Sequence, residues 1–422
     1  MKYLFITNDI GYQDNANSNI VFAICDELQK NHNEVHMFSV SQFIEKKEHN
    51  YRKYPVFCFG PQIGIFRYSN QYNGYRDIFK LIPLIFKPLL WGAAIRVLLS
   101  RINAEKSISI ESFFAVLRIR LLNKRHKYDR IIAVCEPGMS INIASRLRNA
   151  HISIYQLDPF HSSKTKQLRL KNWRLKIEAS AYKNAEFIYL TKLIQDEYNY
   201  TKLAKFATKW TIVDFPLIRQ YVKSESKPAI HFTNDKINCL YCGTLDTDYR
   251  NPKFALELAR NLSDDYRFYF VGRNCVEIIQ NTMRLTDHRI VTSSILPIEE
   301  TYQLMASADF LVNIGNTMTN QMPSKIIDYI STGKPIINIV KSRDCPTLDY
   351  IARYPIAISI FEEANIDINL INAVEKFCRE NKGNSFPYSD IRRLYYEATP
   401  EYVADLIAHP NTSSARMEKG YL

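Results

Sequence analysis

Lys325 and Asp328 are spaced to share one face of a helix in the segment NTMTNQMPSKIIDYISTGKPIINIV, residues 316–340. Pro323 suits the first position of this helix because its missing N–H is not needed there. Ser324 and Lys325 then lie in the first turn, where free backbone N–H groups attract anions. A lysine is otherwise disfavoured at this end of a helix. The segment therefore indicates a bound anion such as a phosphate; the alternative is a surface salt bridge on an ordinary helix.

A second segment, LYCGTLDTDYRNP, ends an apolar run with a glycine. Gly243 would let a phosphate approach the backbone closely, because it has no side chain. Arg250 follows it, and a planar guanidinium suits bidentate contacts with a diphosphate. The alternative is a strand-end turn with a surface arginine.

Strand-like and helix-like stretches alternate along the whole chain, which favours parallel sheets covered on both faces. The predicted fold class is α/β, with two Rossmann-like domains facing across a cleft and ligands beyond the carboxyl ends of the strands. The predicted strands are 2–7, 34–40, 130–135, 152–157, 187–190, 237–242, 267–271, 310–314 and 335–340. The predicted helices are 17–31, 139–149, 252–262, 299–306 and 323–332.

The positive charge is concentrated in the first half. The chain carries 55 Lys and Arg against 43 Asp and Glu, for a net charge of +12. Residues 76–127 carry 11 basic and three acidic residues, and residues 161–176 carry six basic and none acidic. The first stretch is also apolar, so two interpretations stay open: a segment at an anionic membrane surface, or a helical insertion with a solvated basic face. No nucleic-acid-binding module is visible, so we expect no nucleic-acid partner.

Other features bear on the location of the protein. The apolar run at the N-terminus is about four residues, against roughly 7–15 for a signal core. The most apolar region, 79–99, is interrupted by three basic residues, so no transmembrane helix is predicted. The eight cysteines are scattered, which is typical of reduced thiols in the cytoplasm. Cys239 and Cys242 are expected to pack in a core rather than to bind zinc.

The run PSKIIDYISTGKPII resembles the donor-binding signature of GT-B glycosyltransferases, specifically the family 4-like retaining enzymes. In that family two acidic residues, separated by seven others, mark the nucleotide-sugar site. The resemblance implies that Asp328, at the second position, binds the ribose. Asn320 stands at the first position, where it is expected to orient the donor sugar. Ser324 and Lys325 match positions that meet the diphosphate.

The glycine turns extend this resemblance. Gly243 matches the turn that opens the family's second domain, and Thr244 stands where the family often has arginine. Arg250 is expected to take the second basic role, shifted by about one residue. The resemblance also places the next glycine turn at Gly272 and the contact with the base near Pro297.

Polar residues in the first half are candidates for the acceptor side. Glu136 and Asp158 each follow a predicted strand, and His161 lies three residues beyond Asp158. Asn17 lies near the start of the first helix, where the family has a sugar-facing turn. If the enzyme retains configuration, as the resemblance implies, no protein base is required; if it inverts, Glu136 or Asp158 is the base to test. Glu178 matches an acid that is frequent in the family.

The resemblance also assigns the domains. Residues 1–222 are expected to form the acceptor-side domain, with the basic, apolar insertion at about 71–127. Residues 223–236 form a linker, 237–398 the donor domain, and 399–422 a C-terminal helix and tail for which packing on the first domain stays open.

The predicted activity is transfer of a sugar from a nucleotide-sugar donor to a cell-surface polysaccharide, glycolipid or lipid-linked acceptor. We expect a cytoplasmic enzyme, peripheral on the inner face of the cell membrane under the membrane interpretation. No cofactor or metal is expected, although Asp246-Thr-Asp248 is similar to the metal-binding motif of GT-A enzymes. Two alternatives stay open: a catalytically silent partner subunit, and a GT-B-fold nucleotide-sugar epimerase.

Overall fold

The computed structural model describes most of the chain as two compact units. The units are Met1–Asp214 with Val403–Leu422, and Phe215–Tyr402. Part of the expected linker, 223–229, and part of the expected insertion, 71–103, lie outside the described residues. The described residues are 1–8, 16–40, 48–51, 53–59, 104–135, 139–148, 150–162, 168–220, 230–282, 288–317, 322–363 and 365–410.

The first unit is built on an eight-stranded sheet of order β3-β4-β2-β1-β5-β6-β7-β8. All neighbouring strands are parallel except β3 and β4. The strands are β1 (Lys2–Asn8), β2 (Glu34–Val40), β3 (Glu48–Tyr51), β4 (Tyr54–Phe59), β5 (Arg130–Cys135), β6 (Ile152–Gln156), β7 (Phe187–Leu190) and β8 (Trp210–Ile212). The helices are α1 (Ala16–Lys30), α2 (Ala104–His126), α3 (Ser140–Ala144), α4 (Leu168–Asn184) and α5 (Lys192–Tyr198), with a 3-10 helix at Ala204–Lys209.

The second unit has a six-stranded parallel sheet of order β11-β10-β9-β12-β13-β14. The strands are β9 (Ile237–Cys242), β10 (Tyr266–Val271), β11 (Ile290–Ser293), β12 (Phe310–Ile314), β13 (Ile336–Val340) and β14 (Ala357–Phe361). The helices are α6 (Lys253–Asn261), α7 (Cys275–Thr282), α8 (Ile298–Ser307), α9 (Lys325–Ser331), α10 (Thr347–Ile351), α11 (Ile368–Asn381) and α12 (Tyr388–Leu394), with a 3-10 helix at Tyr396–Ala398. The last helix, α13 (Pro400–Ala408), begins in this unit and continues into the part of the chain that belongs to the first unit.

These two sheets confirm the predicted α/β class with two Rossmann-like units. In the second sheet the strand order reverses between β9 and β12, where doubly wound sheets bind ligands at the carboxyl ends of their strands. The core of this unit consists of apolar side chains from its central strands and covering helices. Within the described ranges, no helix is long and apolar enough to cross a bilayer.

Candidate functional site

Two glycine turns meet at the carboxyl ends of β9 and β10. The Gly243 amide donates to the Val271 carbonyl at 2.9 Å, and the Gly272 amide donates to the Ser293 carbonyl at 3.1 Å. Gly272 has a φ of +143°, and a Cβ there would lie 2.1 Å from the carbonyl oxygen of Gly243. The close contact between the two backbones therefore explains why residue 272 is a glycine. Through this contact Gly272 supports the Gly243 turn.

The loop that follows Gly243 is closed by its own backbone. Asp246 and Arg250 exchange two backbone hydrogen bonds, of 3.2 and 3.0 Å. The Asp246 carboxylate also accepts from the amides of Asp248 at 2.8 Å and Tyr249 at 3.2 Å. In the Asp246-Thr-Asp248 motif, the Asp246 carboxylate thus holds the backbone of its own loop. Across the described part of the chain, no group of three or more His, Cys, Asp or Glu could hold a metal ion.

Arg250 is fixed across the point where the strand order reverses. Its Nε donates to Asn316 Oδ1 at 2.8 Å, and its Nη1 donates to the Thr244 carbonyl at 3.2 Å. Asn316 comes shortly after β12, and Thr244 comes shortly after β9. Burial raises the pKa of Tyr241, and the nearby positive charge of Arg250 partly offsets that rise. The structure thus brings Thr244 and Arg250 together, held by an asparagine that the sequence analysis missed.

Helix α9 is attached to the end of β9 through Tyr329. The Tyr329 hydroxyl accepts from the Cys242 amide at 2.8 Å and donates to the Cys242 carbonyl at 3.2 Å. The helix begins at Lys325, two residues after the predicted start at Pro323. Its entry is a tight turn, because the amide of Ile326 donates to the carbonyl of Pro323 at 3.0 Å.

Lys325 and Asp328 share one helix face, as their spacing predicts, and form an ion pair, which is the contact that the alternative interpretation of this segment predicted. Lys325 Nζ lies 3.4 Å from Asp328 Oδ2, and the two side chains are 30% and 7% exposed. Burial is the largest single effect on the pKa of Lys325 and lowers it, but Asp328, Tyr302 and Cys242 together outweigh burial, so the pKa is raised. Lys325 therefore keeps its positive charge at neutral pH and stays partly open to solvent.

A second cation beside this pair was not predicted from the sequence. The Arg219 guanidinium donates to the Tyr302 hydroxyl, and its Cζ lies 5.0 Å from the centre of the Tyr302 ring. The backbone amide of Arg219 donates to Ser331 Oγ in α9 at 3.2 Å. Burial raises the pKa of Tyr302; Asp328 raises it further, whereas Arg219 and Lys325 lower it. These interactions place Arg219 and Tyr302 within electrostatic range of the Lys325–Asp328 pair.

The remaining donor-side candidates make no side-chain hydrogen bond that is described, or lie outside the described residues. Ser324 directly precedes α9 and makes no side-chain cap hydrogen bond. Pro297 directly precedes α8 and is exposed. Asn320 lies outside the described residues.

In the first unit, a buried carboxylate holds His161. Glu178 is fully buried, and its Oε2 accepts from His161 Nδ1 at 2.7 Å and from the His161 amide at 3.2 Å. Its Oε1 accepts from the Phe160 amide at 3.0 Å and from the Tyr198 hydroxyl at 2.5 Å. An ionised carboxylate only accepts hydrogen bonds, so Nδ1 carries a proton and a neutral ring has its lone pair on Nε2. His161 Nε2 lies 3.5 Å from Glu197 Oε1.

The other acceptor-side candidates are spread along the sheet of the first unit. Asp158 is half-buried after β6, and its carbonyl accepts from Gln156 Nε2 at 2.7 Å. Asn17 lies in the first turn of α1. Glu136 lies outside the described residues.

Asn8, which the sequence analysis did not single out, connects the ends of β1 and β5. Its Oδ1 accepts from the Met139 amide at 3.1 Å, whereas its buried Nδ2 has no hydrogen-bond partner among the described residues. The β1–β5 neighbourhood is where the strand order of this sheet reverses, so ligands are expected there.

Comparison with solved structures finds similar folds whose alignments cover nearly all of this chain. The lipopolysaccharide outer core galactosyltransferase WaaB aligns with a TM-score of 0.55 at 10% identity, over 98% of this chain and 100% of WaaB. The UDP-GlcNAc 2-epimerase of Methanocaldococcus jannaschii aligns with a TM-score of 0.57 at 11% identity, over 97% and 100%. Anabaena HepE, solved in complex with UDP, aligns with a TM-score of 0.53 at 11% identity, over 99% and 100%.

These likenesses confirm the GT-B fold that the sequence motifs predicted. No protein-family model matches the chain, and no curated protein matches it in sequence. Placement in family 4 and retention of configuration stay predictions.

Proposed function

We propose that this chain is a glycosyltransferase that takes a sugar from a nucleotide-sugar donor. The observation that carries the proposal is the cationic end of the second sheet. Arg250 is fixed over the Gly243 turn, and Lys325 remains charged at the start of the helix attached to the same strand. The fold shared with WaaB and with UDP-bound HepE supports a donor with a nucleoside diphosphate.

In the proposed mechanism, the cations stabilise the charge that develops on the departing diphosphate. Arg250 and Lys325 bind its oxygens, and Ser324 donates a further hydrogen bond. Groups that are already in position lower the barrier because they need no reorganisation during the reaction. Asp328 binds the ribose and Asn320 orients the donor sugar. Pro297 borders the base.

The acceptor hydroxyl enters from the first unit, near Glu136, Asp158 and His161. We propose retention, which requires no protein base. For an inverting reaction, Glu136 or Asp158 accepts the proton. The proposed acceptor is a cell-surface polysaccharide, a glycolipid or a lipid-linked glycan, reached by an enzyme that is peripheral on the inner face of the membrane.

Two other functions fit specific observations. UDP-GlcNAc 2-epimerases share the whole architecture, as the Methanocaldococcus jannaschii structure shows. A catalytically silent partner subunit fits the uncharged residues at Thr244 and Asn320.

Product analysis separates these functions. The full chain is incubated with UDP-, GDP- and dTDP-sugars, with and without lipid-linked acceptors, and products are followed by NMR. Release of the nucleotide with a new glycosidic bond supports the transferase and reports its stereochemistry. A second nucleotide sugar that differs at one carbon identifies an epimerase. Donor binding without turnover under any condition identifies a silent partner.

A further inference from the structure

Helix α2 exposes a continuous apolar face. Phe113, Phe114, Leu117 and Leu121 are 51%, 48%, 41% and 67% exposed. At 3.6 residues per turn they fall within an arc of about 100° on one side of the helix. The rings of Phe113 and Phe114 also contact each other edge to face, with centroids 5.7 Å apart.

The opposite face of the same helix packs in the hydrophobic core of the first unit. Ala115, Val116, Ile119 and Leu122 are buried in a core cluster together with β1 and β5 residues. The apolar residues on the outer face therefore add nothing to this core. Four large apolar side chains on one exposed helix face indicate a contact outside the unit.

Basic residues border this apolar face. Arg120, Lys124 and Arg125 are exposed, and the sequence has no acidic residue between Ser112 and Tyr128. At about 100° per residue, Arg120 lies on one side of the apolar arc and Arg125 on the other. Lys124 lies one turn beyond Leu121. An apolar strip bordered by cations is the pattern of a helix that lies in a membrane interface.

We propose that this face of α2 docks the protein on an anionic lipid bilayer. The apolar side chains enter the boundary between headgroups and acyl chains, and the cations bind the lipid phosphates. Charge complementarity favours lipid over a second copy of the chain, because two such faces would bring like charges together. The inference deepens the proposed function, since it names how a lipid-linked acceptor is reached. Vesicle binding needs neither a donor nor turnover. An experiment can therefore reject the membrane proposal without rejecting the proposed glycosyltransferase activity, and the reverse.

Flotation of the full chain with vesicles tests the proposal. One vesicle is phosphatidylcholine alone, and the other is an equal mixture with phosphatidylglycerol. The wild type is expected to float with the mixed vesicles, less at high salt because the charges are screened. The combined variant Phe113→Ser, Leu117→Ser, Leu121→Ser and the combined variant Arg120→Gln, Lys124→Gln, Arg125→Gln are each expected to reduce binding at least about tenfold.

A matched control removes exposed apolar surface elsewhere. Tyr200 and Ile295 are 93% and 64% exposed, and Tyr200→Ser with Ile295→Ser is expected to float like the wild type. All substituted side chains are exposed, so thermal unfolding is expected to be unchanged. The proposal is overturned if the wild type stays unbound, or if both α2 variants float as it does. It is also overturned if the apolar variant converts a wild-type dimer into a monomer in light scattering, which would assign the face to a second copy.

Discussion

Arg250 illustrates, at the scale of single residues, what local sequence can predict. Its position after a glycine turn predicted a role beside Gly243, and the structure places its guanidinium on the Thr244 carbonyl. Its other partner, Asn316, is 66 residues away along the chain, and no local pattern marks it. Arg219 was missed for the same reason, because its contact with Tyr302 spans 83 residues. Residue types and spacing thus predicted Arg250 and Lys325, whereas only the fold reveals Arg219 and the groups that hold these side chains.

The His161–Glu178 pair leads to a prediction about tautomers. Glu178→Gln replaces a carboxylate that accepts four hydrogen bonds with an amide that must donate through its nitrogen. Nitrogen-15 NMR of the imidazole is expected to show the Nδ1-protonated ring in the wild type and a mixture in the variant. We also expect a lower kcat with unchanged donor affinity, because the pair lies in the first unit.

Tyr198→Phe is the matched control for this prediction. It removes one hydrogen bond to the same carboxylate but leaves both bonds to His161 in place. It is expected to keep the wild-type tautomer and kcat. An unchanged imidazole spectrum in Glu178→Gln would show that the carboxylate does not position the ring.

At the scale of elements, the strands that could be predicted from the sequence are those that are buried on both faces. The central strands were predicted to within about two residues, because a strand covered on both faces is continuously apolar. The strands that were missed lie at or next to the sheet edges. They are β3, β4 and β8 in the first sheet, and β11 and β14 in the second. In β11 and β14 most side chains are only partly buried. Such short, partly exposed strands do not stand out from loops in the sequence.

The packing of the two glycine turns can be tested by adding a methyl group. Gly272→Ala places a Cβ 2.1 Å from the Gly243 carbonyl oxygen. The backbone must move, which adds about 1–3 kcal/mol to the cost of about 1–3 kcal/mol for alanine at a φ that is essentially restricted to glycine. We expect the free energy of unfolding, measured in denaturant, to fall by the sum.

Gly383→Ala is the control for this substitution. Gly383 has a φ of +81° and nothing within 4 Å of an added Cβ. It is expected to show only the conformational cost of about 1–2 kcal/mol. Equal losses in the two variants would mean that the contact between the turns does not constrain Gly272.

At the scale of the whole molecule, the C-terminal segment belongs to the first unit. Val403, Ala404, Leu406 and Ile407 are buried. Arg130 Nη1 donates to the Ile407 carbonyl at 2.9 Å, and the Tyr189 hydroxyl donates to the Leu406 carbonyl at 3.3 Å. A local reading of the sequence gives no signal for these contacts, because 277 residues separate Arg130 from Ile407.

Removal of residues 403–422 is therefore expected to destabilise the first unit. Burying a side chain such as Leu406 or Ile407 contributes about 1.5–3 kcal/mol each. Hydrogen exchange should speed up in peptides from β5 and β7 and stay unchanged in β9 and β10. A chain that ends at Pro410 keeps these contacts and should exchange like the full protein. Unchanged exchange in β5 and β7 after the longer truncation would contradict this assignment.

The central claim is that the second unit binds the donor diphosphate through its cations. Calorimetric titration of UDP, GDP and dTDP into the full chain tests it most directly, with Lys325→Ala beside the wild type. Losing a charge-assisted hydrogen bond of about 1.5–3 kcal/mol is expected to weaken the best nucleotide about 10- to 100-fold. Lys325→Arg keeps the charge and should bind more tightly than Lys325→Ala. Lys376→Ala, which removes an exposed lysine from α11, should bind like the wild type. An unchanged Kd in a folded Lys325→Ala would contradict the account.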